Sequence, residues 1–594
     1  MDRNQAIGLT LMALVLLIYF IWFAPQPEPL PPVADSVVVQ NLPTVSQPDK
    51  PQAVQSSITD SLNKENEQPQ DIEITTQDLK IIFSSRGGII RSLELNHFKT
   101  YHQKPVRLIQ PDRHEFELIA QVTGQPLNIY ALNFTASQQK KGDTTMVYFT
   151  RTAGEKMIQL IYTIPPTGYE IGYTIVNKNY LDNAPVELRW RGRLPLFERD
   201  LTDSRNYTTI VYRNNDEVDE LSARSLAEQQ TLSGKIDWVS VKQKFFLNAV
   251  ISDKGFSQAV MQTSVQEADT STVKNGGFSV QIPAEQLSSG QAEIKFYFGP
   301  NDYQTIGKVA PQFAKNVYLG WPPVYWINKF VIFPVFHFLT KIFSNYGLII
   351  IILVILLRIV LLPLSYRSYL SMAKMKVLKP ELDEIRDKFG DDMTKVQQEQ
   401  LKLYQQAGVN PLSGCIPILL QMPILFAMFY LFPNSIELRQ QSFLWADDLS
   451  TYDSVINLPF TIPLYGNHVS LFTLLMTLST LIITWQNNQI SSVQGPMKSM
   501  SYIMPVVFMV VLNSFPAGLS FYYLMSNLVT FGQQAIIRRF VDEEKIKKIM
   551  DEHRKAMAAG GGKKSRFMAK LEEAMKASEE ARRRAEEERK KRKK

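Results

Sequence analysis

The sequence predicts a polytopic α-helical membrane protein that carries a large all-β domain outside the cytoplasm. Three observations predict it: an uncharged apolar run near the start, about 240 residues patterned with period two, and five more apolar segments after Gly347. The mean hydropathy of −0.12 averages these two unlike halves, one polar and alternating, one intensely apolar. With 594 residues the chain holds about four units at roughly 150 residues each.

Composition excludes several functions. One cysteine, Cys415, leaves no internal disulfide and no zinc site of several thiolates. Six scattered histidines contain no H-E-x-x-H pair, which argues against a metalloprotease. Apolar residues at 45% and aromatics at 11% exclude a largely disordered chain. Gly561-Gly562-Lys563-Lys564-Ser565 lacks the first glycine and preceding strand of a phosphate loop. The expectation is a protein with no cofactor, no metal and no catalytic residue.

Residues 1–24 read as a transmembrane anchor. The 18 uncharged residues 7–24 reach about 27 Å as a helix, close to the hydrocarbon thickness. The rival reading is a cleaved signal peptide, but no A-x-A-like site follows. Residues 25–70, rich in Pro, Gln, Ser and Asp, read as a disordered tether.

Residues 71–311 read as an antiparallel sandwich. Tyr169, Ile171, Tyr173 and Ile175 alternate with polar residues or glycine; so do Val186, Leu188 and Trp190. Ala292, Ile294, Phe296 and Phe298 alternate with Glu293, Lys295 and Tyr297. No nucleophile elbow or cluster of histidines and carboxylates occurs there, and His97 and His102 read as solvated or core histidines. This domain reads as a scaffold or binding module.

Residues 312–346 carry Tyr318, Trp321, Tyr325, Trp326, Phe330, Phe333, Phe336 and Phe338 beside Lys315, Lys329 and Lys341. Aromatics mixed with lysine suit the membrane–water interface, so the expectation is an amphipathic helix on the bilayer; the alternative is a buried linker helix. Apolar segments 347–364, 416–432, 469–485, 500–512 and 517–537 then form a core over 347–537, giving six spans with the anchor. Segment 500–512 is short, which suggests a locally thin membrane.

Charge orients these spans. The 368–410 region reads as a helical hairpin; it and its approach hold Arg367, Lys374, Lys376, Lys379, Arg386, Lys388, Lys395 and Lys402. The next loop has Arg439 alone against Glu437, Asp447, Asp448 and Asp453. The tail 538–594 has 21 basic and 12 acidic residues, a net of +9 that leaves the rest of the chain at −2. Positive-inside bias puts both termini in the cytoplasm and the strand domain outside it. Such a tail is a lipid-facing extension or a partner for ribosomal RNA.

Arg358 interrupts an apolar segment, and a central arginine costs about 2.5–3.5 kcal/mol on insertion scales. No other span holds Asp or Glu, so a hydrated cavity is favoured over an ion pair. Ser470, Thr473, Thr477, Thr480 and Thr484 share one helix face; Ser520, Tyr523, Asn527, Thr530 and Gln534 share another, and Gln421 adds an amide. Helix–helix glue is the alternative for either stripe. Both stripes beside an unpaired arginine favour a polar groove.

Several motifs resemble the YidC family of membrane insertases. They are Ser371-Met372-Ala373-Lys374-Met375-Lys376, Gly390-Asp391-Asp392, Val409-Asn410-Pro411-Leu412-Ser413-Gly414-Cys415, Gln421-Met422-Pro423, Glu437-Leu438-Arg439-Gln440, Phe515-Pro516-Ala517-Gly518-Leu519, and Tyr522-Tyr523 with Ser526-Asn527-Leu528-Val529-Thr530. In the strand domain, Ser85-Arg86-Gly87-Gly88 and Phe298-Gly299-Pro300-Asn301-Asp302-Tyr303 resemble the periplasmic supersandwich of Gram-negative members. The resemblance implies an inner-membrane insertase and chaperone for nascent membrane proteins, acting alone or with the Sec translocon (SecYEG, SecDF). It implies a groove in which Arg358 attracts acidic client residues and Tyr522 or Tyr523 is the lining aromatic. Some relatives carry a hydroxyl residue four before the arginine; this chain has Val354. Ribosomes and the signal recognition particle receptor are implied partners of the hairpin and tail, beside membrane lipids. A solute transporter is the second reading, but the paired interrupted repeats of that class are not visible.

Overall fold

The computed structural model describes residues 69–390, 393–409, 416–490 and 496–558. The predicted anchor, most of the tether, Asp391-Asp392, the Cys415 motif and the last part of the tail lie outside the described residues. Two compact units emerge: one is 69–318 with 434–437, the other 319–433 with 438–558.

The first unit is built of antiparallel strands. A four-stranded sheet takes its strands in chain order from Asp71–Thr75 to Pro105–Ile109, and a second sheet has 13 strands. Phe83 of the small sheet meets Tyr162 and Phe149 of the large one at 4.8 and 6.0 Å between ring centroids, so the sheets pack face to face. Each fully buried large apolar side chain contributes about 1.5–3 kcal/mol by burial. The predicted alternation is visible directly: Ile171, Tyr173 and Ile175 are buried on strand Glu170–Lys178, and Leu188 and Trp190 on Val186–Pro195. Tyr297 departs from it. Expected on the outer face of strand Gln291–Pro300, it is buried against Phe313, because the segment after the strand folds back over that face. The glycine pair has a steric reason: Gly87 has φ +86°, and a Cβ there would lie 2.4 Å from the Tyr130 carbonyl oxygen. His97 and His102 are exposed.

The second unit is helical. The aromatic region forms Pro322–Ile327, a π-helical turn Asn328–Ile332 and Phe333–Thr340, three segments rather than one regular helix. Val324, Ile332, Phe333, Phe336 and Leu339 face inward, while Trp326, Phe330 and Phe338 are exposed. The buried Asn328 amide donates to the carbonyls of Leu319 and Ala427, which fastens the turn to helix Ile416–Asn434.

Three boundaries differ from the sequence expectation. Segment 347–364 is not one helix: Tyr346–Val360 ends, and Leu362–Val377 leaves at 62°. Pro363 explains the break, because it cannot bond the Ile359 carbonyl. Residues 368–377 therefore belong to the bent helix, and the hairpin proper is Lys379–Phe389 with Met393–Gln406. The short segment 500–512 belongs to a helix that extends back to Pro496, 17 residues and about 26 Å long, although Lys498 and Ser499 leave its apolar run at the expected length. The first part of the tail is also structured: Glu543–Ala558 packs Ile546 and Met550 on Leu378, Leu382, Leu403 and Tyr404, and Arg554 grips both Glu381 oxygens at 2.8 and 2.9 Å.

Among the described residues no single helix is both long and apolar enough to cross a membrane alone; the bent pair Tyr346–Val360 with Leu362–Val377 is, taken together. The stripes of Thr, Asn and Gln lower the hydropathy of Leu471–Ile490 and Ala517–Phe540.

A candidate polar site around Arg358

Arg358 lies in the last turn of helix Tyr346–Val360 and is 8% exposed. Its Nη2 donates to Ser526 Oγ at 2.5 Å and its Nη1 to Gln421 Oε1 at 3.4 Å. Its backbone oxygen accepts from Gln533 Nε2 at 3.0 Å. The guanidinium therefore joins three helices: its own, Ile416–Asn434 and Ala517–Phe540. Among the described residues no carboxylate pairs with it. A guanidinium has five N–H donors; both directed bonds here go to neutral acceptors, so the positive charge is not compensated by an acid.

The two tyrosines sit in the same quarter. Tyr522 is buried, with its ring 5.9 Å from Phe432 and 5.4 Å from Tyr523. The Tyr523 hydroxyl donates to the Leu425 carbonyl at 3.1 Å.

The threonine stripe divides. Thr473 is buried with its hydroxyl 3.0 Å from that of Ser520, and Thr477 donates to the Thr473 carbonyl. The Asn527 amide donates to Ser479 Oγ at 2.9 Å and Thr480 Oγ1 at 2.8 Å, while Thr480 donates to the Met476 carbonyl. These groups bind helix Leu471–Ile490 to Ala517–Phe540. Thr530 donates to the Ser526 carbonyl at 2.6 Å, one turn from Arg358's partner. Thr484 is half-buried farther along its helix.

Ser526 and Gln533 are absent from the sequence-predicted set. Their signal was available: Tyr522, Ser526, Thr530 and Gln533 recur at four, four and three, a second polar face of the same helix. Among the described residues no group of three or more His, Cys, Asp or Glu is placed to hold a metal ion.

Comparison with known proteins matches both units. The 60Kd inner membrane protein family covers residues 338–545, and the YidC periplasmic domain family covers 71–334. A periplasmic all-β domain joined to a helical unit of the inner membrane protein family is thus the class of protein. A membrane protein insertase YidC of Amoebophilus asiaticus is 42% identical over 563 residues, 92% of this chain and 94% of its own. One of Cytophaga hutchinsonii is 43% identical over 608 residues, 96% and 97% of the two chains. A solved structure of an active YidC insertase, with its first transmembrane domain resolved, aligns over 81% of this chain and 97% of its own at 20% identity and a TM-score of 0.33. The chain belongs to the YidC membrane protein insertase family. These relatives are named for membrane protein insertion and not for an enzymatic reaction.

Proposed function

We propose that this chain inserts nascent membrane proteins into the inner membrane and helps them fold, through a polar groove centred on Arg358. The observation that carries the groove is the arginine's set of partners. A buried cation bonded to Ser526 and Gln421 and, among the described residues, to no carboxylate is stabilised without being neutralised. An acidic residue of a client supplies the missing charge and gains a charge-assisted hydrogen bond. Gln421, Thr530, Tyr522, Tyr523 and Thr484 complete the lining, while Thr473, Thr477, Thr480 and Asn527 hold the neighbouring helices at the spacing the groove needs.

Six spans, counting the anchor 1–24, place both termini in the cytoplasm and the β domain in the periplasm. The basic loop and tail on one side and the acidic loop on the other support that orientation. The hairpin and tail then face translating ribosomes and the signal recognition particle receptor. The aromatic region 312–346 lies at the outer interface, and cooperation with the Sec translocon serves larger clients. The test is insertion of a small client into liposomes that hold only this protein. Protection of the client's translocated segment supports the reading; none above that of empty liposomes overturns it.

A further inference from the structure

The loop between helices Ile416–Asn434 and Leu471–Ile490 contains a two-stranded hairpin, Ile456–Ile462 paired with Gly466–Val469. Its first strand is open on both sides, every residue but Leu458 being exposed. The strand bulges between Asn457 and Ile462, and Ile456, Phe460 and Ile462 are exposed, Phe460 by 60%. Leu464, at the turn, is 93% exposed, and Val455 is exposed at the base. A two-stranded hairpin with uncovered apolar side chains is marginal in water, and such a patch marks a contact surface.

Three further observations identify what covers it. First, residues 454–470 contain no Asp, Glu, Lys or Arg, although Asp447, Asp448 and Asp453 immediately precede them. Second, Pro459 and Pro463 lack the N–H that pairing with an added strand requires, so a partner joining by strand addition is disfavoured. Third, the hairpin is fastened to the ends of apolar helices. The Asn513 amide donates to the carbonyls of Tyr465 and His468 at 3.0 and 2.8 Å, and its Oδ1 accepts from the Ser470 N–H. Asn513 directly follows helix Pro496–Leu512, whose Val507, Phe508 and Val511 are exposed. The apolar surface of that helix therefore leads to the hairpin's anchor point.

We propose that residues 455–469 form a lipid-seated anchor, with the exposed side chains of Ile456, Phe460 and Ile462 and the tip Leu464 in the interfacial layer of the bilayer that holds the helices. The proposal rests on the membrane-spanning reading given above. Tyr465 suits that depth, where an amphipathic ring lies at the headgroup level. Asp453 closes the device on its polar side: its Oδ2 accepts from the N–H groups of Leu471 and Phe472 at 2.9 and 3.0 Å and caps the helix that leaves the hairpin. A wedge fixed in this way prevents the ends of Leu471–Ile490 and Pro496–Leu512 from sliding along the membrane normal while a client passes beside them.

The test uses the full chain with Cys415→Ser, reconstituted in zwitterionic liposomes, carrying one fluorophore at Leu464→Cys, Val507→Cys or Gln139→Cys. Emission is quenched either by lipids spin-labelled near the headgroup or by aqueous iodide. Val507 reports the helix surface and Gln139 an exposed strand of the β domain. The expected result is loss of most emission at Leu464 and Val507 to the lipid quencher, with Gln139 responding to iodide alone. If Leu464 behaves like Gln139, or is shielded from both quenchers by protein, while Val507 responds to lipid, the anchor is refuted and the spanning core stands. If Val507 also ignores the lipid quencher, the membrane-spanning reading fails and the anchor with it.

Discussion

Replacing Ser526 by Asp would place a carboxylate beside the cation that the groove offers to clients. Ser526 Oγ is 2.5 Å from Arg358 Nη2, so the slightly longer aspartate side chain reaches the same guanidinium. At a separation of 4 Å and an effective dielectric constant near 20, such a pair is worth about 4 kcal/mol. An acidic client would have to displace that internal partner, and at 1.4 kcal/mol per tenfold the handicap approaches about a thousandfold in recruitment. Folding should survive, because the variant pairs a buried charge instead of orphaning one. The assay is the insertion rate of a small client with an acidic translocated segment, against the same client with its acids changed to amides. Ser526→Asp should slow the acidic client severely and spare the neutral one, while Ser526→Asn, neutral and of similar size, should pass both. Unimpaired insertion of the acidic client by a folded Ser526→Asp protein would refute the claim that Arg358's uncompensated charge does the recruiting.

Arg358→Lys should keep part of the activity on acidic clients and Arg358→Ala should lose it, read in the same liposomes. The β unit should be dispensable when residues 71–317 are removed together; a cut at Gly290 would strand the buried face of Gln291–Pro300 without its neighbours and should cause aggregation, checked by gel filtration of the solubilised protein. His114 is stacked on Trp190, and burial pushes its pKa from 6.5 down to about 4. Below pH 6.5 the unfolded chain takes up that proton and the folded domain does not, so stability is complete above 6.5 and falls by at most about 1.4 kcal/mol per pH unit down to 4. Urea midpoints of the intact protein at pH 7 and 5 should show this slope, and His114→Phe should flatten it. Truncation after Phe540 should greatly reduce cosedimentation with ribosomes in neutral-lipid nanodiscs at low salt; unchanged binding would leave the hairpin as the docking element.

The strands were readable because a half-buried sheet imposes its own period on the sequence, as at Ile171, Tyr173 and Ile175. Tyr297 was not, because what covers its outer face is a segment that arrives from later in the chain, and period two carries no information about that. Arg358 was readable because a charge in an apolar run is costly wherever it lies. The helix break beside it was marked by Pro363, but a continuous hydrophobic stretch masks a change of direction that hydropathy does not sense. Ser526 escaped notice because helix Ala517–Phe540 presents two polar faces. The face through Asn527 bonds Ser479 and Thr480, whereas the face through Ser526 meets the arginine, and only three-dimensional neighbours distinguish glue from lining.

The bend after Val360 has a consequence for the arginine beside it. The end of helix Tyr346–Val360 leaves little free backbone charge: the Leu357 oxygen accepts from the Leu361 N–H, the Arg358 oxygen accepts from Gln533 Nε2, and the next helix opens at Leu362 with its own positive end. Arg358 is in that final turn. The cation is held instead by a hydroxyl and an amide, Ser526 and Gln421, which do not titrate in the physiological range as carboxylates do. An internal acid as counterion would have tied the strength of the site to local acidity. Neutral partners keep it constant, so the remaining variable is the charge that the arriving polypeptide brings with it.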